Sequence, residues 1–279
     1  MPASRYNAPT PDLRIVPTET VGVHEKHDPQ RAESLTRTLR QAQFLINPPI
    51  VAPLDANENE YVILDGANRR YAFGELGYPH LLVQVTSYAG GFLELETWKH
   101  VVSNWQLRRF IQALEQLDGI IVSEQDEDHA ITRVFSKDGE RIILRCTGQS
   151  IQERHAALHH IVRVYQENAV LHRTTSGDPQ EVWSLYPNAI ALAVFPAFTP
   201  ADIFAAARHK AYLPAGITRH IVHGRALGVN YPLALLRDTT TSLESKNAVL
   251  ERWLQDKFQQ RQVRYYGEST YHFNEYCEK

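Results

Sequence analysis

The spacing of apolar and polar positions along the chain alternates between strand and helix signatures from one end to the other. Residues 13–16 form an apolar run closed by Pro17, as a strand does. Asp28 followed by Pro29 is an N-cap with proline at the first helical position. Ala32, Leu35, Leu39 and Ala42 then recur at helical spacing, so the pattern predicts a helix over 29–43. Asn47-Pro48-Pro49 cannot continue it. Short strands are predicted at 50–52 and 61–64, and at Asp65-Gly66 the period switches to that of a helix over 68–76. Gly77 and Pro79 end that helix, and a strand follows at 81–85.

Gly90-Gly91 breaks the pattern, and beyond it the elements change in length and order. Residues 94–116 read as largely helical, carrying Trp98, His100 and Trp105. A strand is expected at 120–122, and strands at 131–135 and 141–146 flank the hairpin signal Asp138-Gly139. Helices are expected at 151–165, from Thr199-Pro200 to 210, and at 242–260. Strands or extended segments are expected at 169–173, 190–195, 221–229 and 262–273, with a loop at 213–217. The fold class is therefore α/β (α+β). A small N-terminal domain at 1–90 is followed by a larger mixed α/β domain at 91–279, with the boundary near 88–92.

Composition narrows the class. In 279 residues the hydrophobic share is 43%, the charged share 22% and the net charge -3, as in soluble globular proteins. No apolar run approaches the roughly 20 residues of a membrane helix, and the polar, proline-containing start does not read as a signal peptide. Cys146 and Cys277 make no disulfide framework and no zinc spacing, so the expected compartment is the cytoplasm. Arginines are spread rather than massed, which argues against nucleic acid as a partner. The pattern is silent on oligomeric state.

Three segments could carry chemistry. Asp65-Gly66-Ala67-Asn68-Arg69-Arg70 lies between a strand and a helix. Helix-start amides and the helix dipole attract anions there, Gly66 permits close approach, and Arg69 and Arg70 add charge. Asp65 could hold a magnesium ion that bridges phosphates. An ordinary strand-turn-helix with a solvated arginine pair has the same pattern. The second segment, Thr218-Arg219-His220, follows Pro214-Ala215-Gly216. It offers a hydroxyl, a carboxylate-matching fork and an imidazole, or else simply leads a surface loop into a strand. In the third, His155 and His159 lie one helical turn apart, a spacing that can bind metal but that more often belongs to a solvated or packed face.

His24-Glu25 before Asp28-Pro29, Asn47-Pro48-Pro49-Ile50-Val51 with Leu64-Asp65-Gly66-Ala67-Asn68-Arg69, Thr97-Trp98-Lys99-His100, and Leu213 through His220 occur here in one order. Together they resemble the free L-serine kinase branch of the ParB/sulfiredoxin superfamily, which includes siderophore-biosynthesis and archaeal ADP-dependent members. No cysteine precedes Cys146, unlike the sulfiredoxin branch, and no all-helical DNA-binding block follows residue 92, unlike chromosome-partitioning proteins. The resemblance implies transfer of a phosphoryl group from ATP or ADP, with Mg2+, to free L-serine, giving O-phospho-L-serine for cysteine or siderophore precursor synthesis.

The same resemblance implies the roles. Glu25 is the catalytic base, and Asp65 helps to place magnesium and the reacting groups. Gly66, Ala67, Asn68, Arg69 and Arg70 hold phosphates, and Trp98, His100, Thr218, Arg219 and His220 shape the amino-acid site. Where relatives often have histidine before the arginine, this chain has Asn68. A nucleotide-binding transcriptional regulator or a DNA-binding NTPase on the same scaffold is the alternative.

Overall fold

The computed structural model describes residues 9–125, 129–266 and 270–273. Residues up to 94 and those from 220 onward form one unit, and residues 95–219 form a second. The Gly90-Gly91 break thus lies a few residues before the chain enters the second unit. The return, at Arg219-His220, carries no comparable punctuation in the sequence.

The first unit is organised on a five-stranded sheet in the order Asp12–Pro17, His80–Val85, Ile50–Pro53, Tyr61–Asp65, Val21–Val23. Val21–Val23 runs parallel to Tyr61–Asp65, and Ile50–Pro53 parallel to His80–Val85; the other pairings are antiparallel. Val51, Val62, Ile63, Leu81, Leu82 and Val83 are buried, so these interior strands read as continuous apolar runs rather than alternating ones. The helix Pro29–Gln41 begins where Asp28 accepts the amide of Arg31, with Pro29 at its start. It packs on the helix Ala67–Glu75.

The C-terminal part of the chain completes this unit. Arg225–Leu227 pairs with Thr270–Phe273, which pairs in turn with Val263–Tyr266. Val229, Tyr231, Leu236 and Leu250 join Val51, Ile63 and Phe73 in one core cluster. Two side-chain amides do the joining, one buried and one half-buried. Gln84, 4% exposed, donates Nε2 to the carbonyl of Gly224 and accepts the amide of Ala226 on Oε1, so one side chain replaces a ladder pair. Asn247, on the Ser242-capped helix Leu243–Gln259, accepts the amide of Ile15 and donates to its carbonyl, both at 2.9 Å. Asp12–Pro17 is an edge strand, and Asn247 satisfies backbone groups that an edge leaves open.

The second unit holds a six-stranded antiparallel sheet in the order Val170–Thr174, Lys99–Ser103, Ala189–Val194, Thr132–Ser136, Arg141–Cys146, Ile120–Ser123. The hairpin at Asp138-Gly139 forms as its turn chemistry requires, with Gly139 at φ 93°. Ile151–Asn168 opens with a capping box in which Ser150 and Glu153 exchange hydrogen bonds.

The helix expected over 94–116 is corrected. Leu93–Thr97 and Lys99–Ser103 are strands, and only Leu107–Glu115 is helical. The physical reason is burial: Lys99–Ser103 lies between two neighbouring strands, and His100, Val101, Val102 and Ser103 are all buried, so no alternation marks it. Two short helices, Pro179–Leu185 and Leu233–Arg237, were not anticipated, although Asp178-Pro179 repeats the cap signature of Asp28-Pro29. Cys146 is a free thiol, and Cys277 lies outside the described residues. Among the described residues no helix is long and apolar enough to cross a membrane.

Replacing Asn247 with alanine strands the amide and carbonyl of Ile15. Urea denaturation should register a loss of about 1–3 kcal/mol, and a midpoint equal to wild type would contradict the edge-capping role.

Candidate functional site

Register carries the two candidate catalytic carboxylates to the same end of the first unit's sheet. Val23 pairs with Ile63 across adjacent parallel strands, and two residues further on stand Glu25 and Asp65, at the carboxyl ends of both strands. The crevice outside such strand ends is where open α/β sheets bind ligands. Between them His24, 2% exposed, donates Nδ1–H to the carbonyl of Ile63 at 2.7 Å. Burial pushes His24 below the ordinary histidine range, against the opposing pull of Glu25 and of the Ile63 carbonyl.

Asp65 leads directly into the helix start. Gly66 sits at φ 101°, a left-handed conformation that glycine adopts without strain. The first in-helix amide bond of this helix runs from Arg70 to the Gly66 carbonyl. The amides of Ala67, Asn68 and Arg69 therefore lie before the helical ladder, and no side chain caps the helix. Such a terminus is an anion site in the making. Asn68 uses its side-chain oxygen to accept the amide of Asp28 at 3.0 Å, tying the starts of two helices together.

The two arginines diverge. Arg69 donates to the Asn47 carbonyl at 2.8 Å and to Asp65 Oδ2 at 3.2 Å, and its guanidinium lies across Gly66. Arg70 donates Nε to the carbonyl of Val21 and lies along Gly74, further into the helix. A third arginine completes the group: Arg225 donates Nη2 to the same Asp65 oxygen. Burial pushes the Asp65 carboxyl up, but Arg69 and Arg225 outweigh it and hold the group below its usual range. Arg225 is the site residue that sequence reasoning missed. It lies 160 positions from Asp65 and belongs to no motif there.

His220 belongs to the same unit. Its ring meets that of His24 edge to face at 5.4 Å, and its Nε2 is hydrogen-bonded to the Tyr88 hydroxyl at 2.7 Å. Burial and the neighbouring His24 push it down to about 3. Tyr88, pushed above its ordinary value by burial, is a second group that the sequence did not flag.

Trp98, His100, Thr218 and Arg219 fall in the second unit. The Arg219 guanidinium lies 4.9 Å above the Trp98 ring and is paired with Glu96. Thr218 is buried. His100 has no exposed surface: it donates Nε2–H to the Gly216 carbonyl at 3.0 Å and accepts the Tyr165 hydroxyl on Nδ1 at 2.8 Å. Burial pushes it down to about 4, so it is the neutral tautomer. His155 and His159, the helical pair, donate to the carbonyls of Ala211 and Tyr212.

No group of three or more His, Cys, Asp or Glu able to hold a metal occurs among the described residues. The one carboxylate at the helix start, Asp65, is shared by two guanidinium groups. It suits a magnesium ion that arrives on phosphates better than one held by protein ligands alone.

The histidine shifts set a pH dependence. His24, His100 and His220 have folded pKa values below their unfolded value near 6.5. The unfolded chain therefore takes up protons first, and stability present above about pH 6.5 is lost as pH falls toward the folded values of about 4 and 3. Unfolding free energies measured at pH 7, 6 and 5 should decline stepwise, and His220→Asn should decline less steeply than wild type. Parallel slopes would contradict the burial of a neutral imidazole at His220.

No family model matches the chain. It is similar to the ATP-dependent L-serine kinase SbnI of Staphylococcus aureus (strain NCTC 8325 / PS 47), 24% identical over 265 residues, which covers 93% of this chain and 96% of that protein. Among solved structures, SbnI with a C-terminal truncation from Staphylococcus aureus superposes with a TM-score of 0.70 at 22% identity, covering 88% of this chain and 97% of the other. A free serine kinase in complex with AMP gives 0.70 at 14% identity, over 84% and 98% of the two chains. The fold of this chain is that of the free serine kinases.

Proposed function

We propose that the chain is a free L-serine kinase that moves the terminal phosphoryl group of ATP or ADP to the hydroxyl of L-serine. The observation that carries this reading is similarity to an ATP-dependent L-serine kinase along almost the whole chain, including the segment that supplies Arg225. The glycine-opened helix start between Asp65 and Arg69 supports it, because it offers free amides and positive charge where phosphates need both.

In this reading the serine Oγ attacks the terminal phosphorus, the bond from that phosphorus to the leaving nucleotide oxygen breaks, and the hydroxyl proton passes to the Glu25 carboxylate. The amides of Gly66, Ala67 and Asn68 and the Arg69 guanidinium hold the phosphates, with Arg225 adding charge. Asp65 keeps both guanidinium groups aimed and would help hold a magnesium ion carried on the nucleotide. Arg70 braces the turn from behind by holding Val21. Trp98, Thr218, Arg219 and His220 are assigned to the amino acid. Arg219 must exchange its Glu96 partner for the serine carboxylate, a swap of like for like. Little covalent chemistry is asked of the protein, and positioning with electrostatics supplies most of the rate.

Phosphorus NMR of the purified protein with magnesium, L-serine and either ATP or ADP tests the reading. A phosphoserine signal is expected with one donor, and Glu25→Gln should slow its appearance by about 10²–10⁴-fold, the usual contribution of a general base. Nucleotide binding without phosphoserine from either donor would overturn the kinase assignment in favour of a nucleotide sensor.

A further inference from the structure

The segment leading into Thr218 and Arg219 is a loop by local conformation, yet side chains of the second unit hold its carbonyls at Ala211, Tyr212, Ala215 and Gly216. His155 and His159 hold those of Ala211 and Tyr212. Arg173 donates Nη2 to Ala215 at 3.2 Å, and His100 donates Nε2–H to Gly216 at 3.0 Å. The backbone amide of Trp98 donates to Ile217 at 2.8 Å. Arg173 and His100 are directly paired across neighbouring antiparallel strands, which places their side chains on the same face of the sheet, where they reach successive carbonyls. Gly216 adopts φ +77°, and a Cβ there would overlap the Arg173 guanidinium, so the loop lies flat against that group.

Loops ordinarily satisfy such carbonyls with water and keep their freedom. Committing a fully buried histidine and a half-buried arginine to two adjacent carbonyls costs desolvation that solvent would otherwise avoid. That investment is sensible when the residues next along the chain must be held still.

We infer that Arg173 and His100 are positioning residues that fix the Ala215–Gly216 backbone and thereby hold Thr218 and Arg219 in place for the amino-acid substrate. The inference rests on the serine-kinase reading for the identity of that substrate, but not for the lock itself. His100 thus acts from behind the loop through Gly216 and does not touch the amino acid. The remaining His100 nitrogen is taken by Tyr165, which fixes the ring orientation in the way an outer partner orients a ligating histidine.

The test uses the full chain and two readouts. Amide hydrogen exchange across residues 213–219 reads the lock, and the KM for L-serine set against the KM for the nucleotide reads its consequence. Arg173→Ala should speed exchange across 213–219 and raise the serine KM by about tenfold, as expected for one lost charged hydrogen bond, with the nucleotide KM within about twofold of wild type. Arg173→Lys, which retains a donor for the Ala215 carbonyl, should recover part of both effects and serves if the alanine variant folds poorly. Unchanged exchange, or a rise in both KM values by the same factor, overturns the inference. Should the wild-type chain make no phosphoserine, faster exchange in Arg173→Ala still supports the lock while the kinase reading falls, and unchanged exchange overturns the lock independently.

Discussion

One carboxylate oxygen, Oδ2 of Asp65, holds the first unit's candidate site together. It accepts from Arg69, four residues ahead on the same helix start, and from Arg225, which enters only after the chain has left the unit and come back. Two positive groups converge on a half-buried anion, and each offsets part of the desolvation that the carboxylate meets there. The supporting contacts follow the same logic. Gln84 clamps the backbone on either side of Arg225, while Asn47 receives Arg69 on its carbonyl and the Gly228 amide on its side chain. Both amides tie the N-terminal sheet to the returning strand, so the position of each guanidinium is set by hydrogen bonds that its own side chain does not make.

The local parts of this arrangement were legible in the sequence because they are written in short-range chemistry. Asp28-Pro29, Asp138-Gly139 and Thr199-Pro200 each require one backbone conformation, and the structure adopts it. Asp65-Gly66 marks a strand-to-helix switch for the same reason. What escaped was long-range. Glu94 to His100 is rich in good helix formers, and only its neighbours in the sheet make 99–103 a strand, a case of tertiary context overriding propensity. Arg225 could not be found by motif, since its significance lies in a partner 160 positions away. His100 was legible as a residue of interest through family resemblance, but its two hydrogen bonds, to Tyr165 and Gly216, depend on strands and a loop whose pairing no local pattern encodes.

The buried histidines show how the two units handle polar groups in different ways. In the first, His24 and His220 stack edge to face and are tied to Ile63 and Tyr88, so imidazoles line the approach to the strand ends where Glu25 and Asp65 stand. In the second, His100 and His155 sit in the core and spend their donors on loop carbonyls. Neither arrangement tolerates a second proton on the ring, because each uses the neutral form as both donor and packing surface. A chain with 13 histidines thus employs several as fixed polar struts rather than as titrating groups.

The interrupted path of the first unit has a consequence for how the protein is made. Its core needs Val229, Tyr231 and Leu250, and its edge strand needs Asn247, yet all four are synthesised after the whole of residues 95–219. The second unit is contiguous and can close on itself as soon as it leaves the ribosome. The N-terminal sheet meanwhile waits with an open edge and part of its apolar face uncovered, for a time on the order of ten seconds at about 5–20 residues per second. During that interval the nascent chain is a natural client for holding chaperones. A truncation just before residue 220 would leave all five strands of the sheet but strip them of Val229, Tyr231, Leu250 and Asn247, while the second unit stays whole.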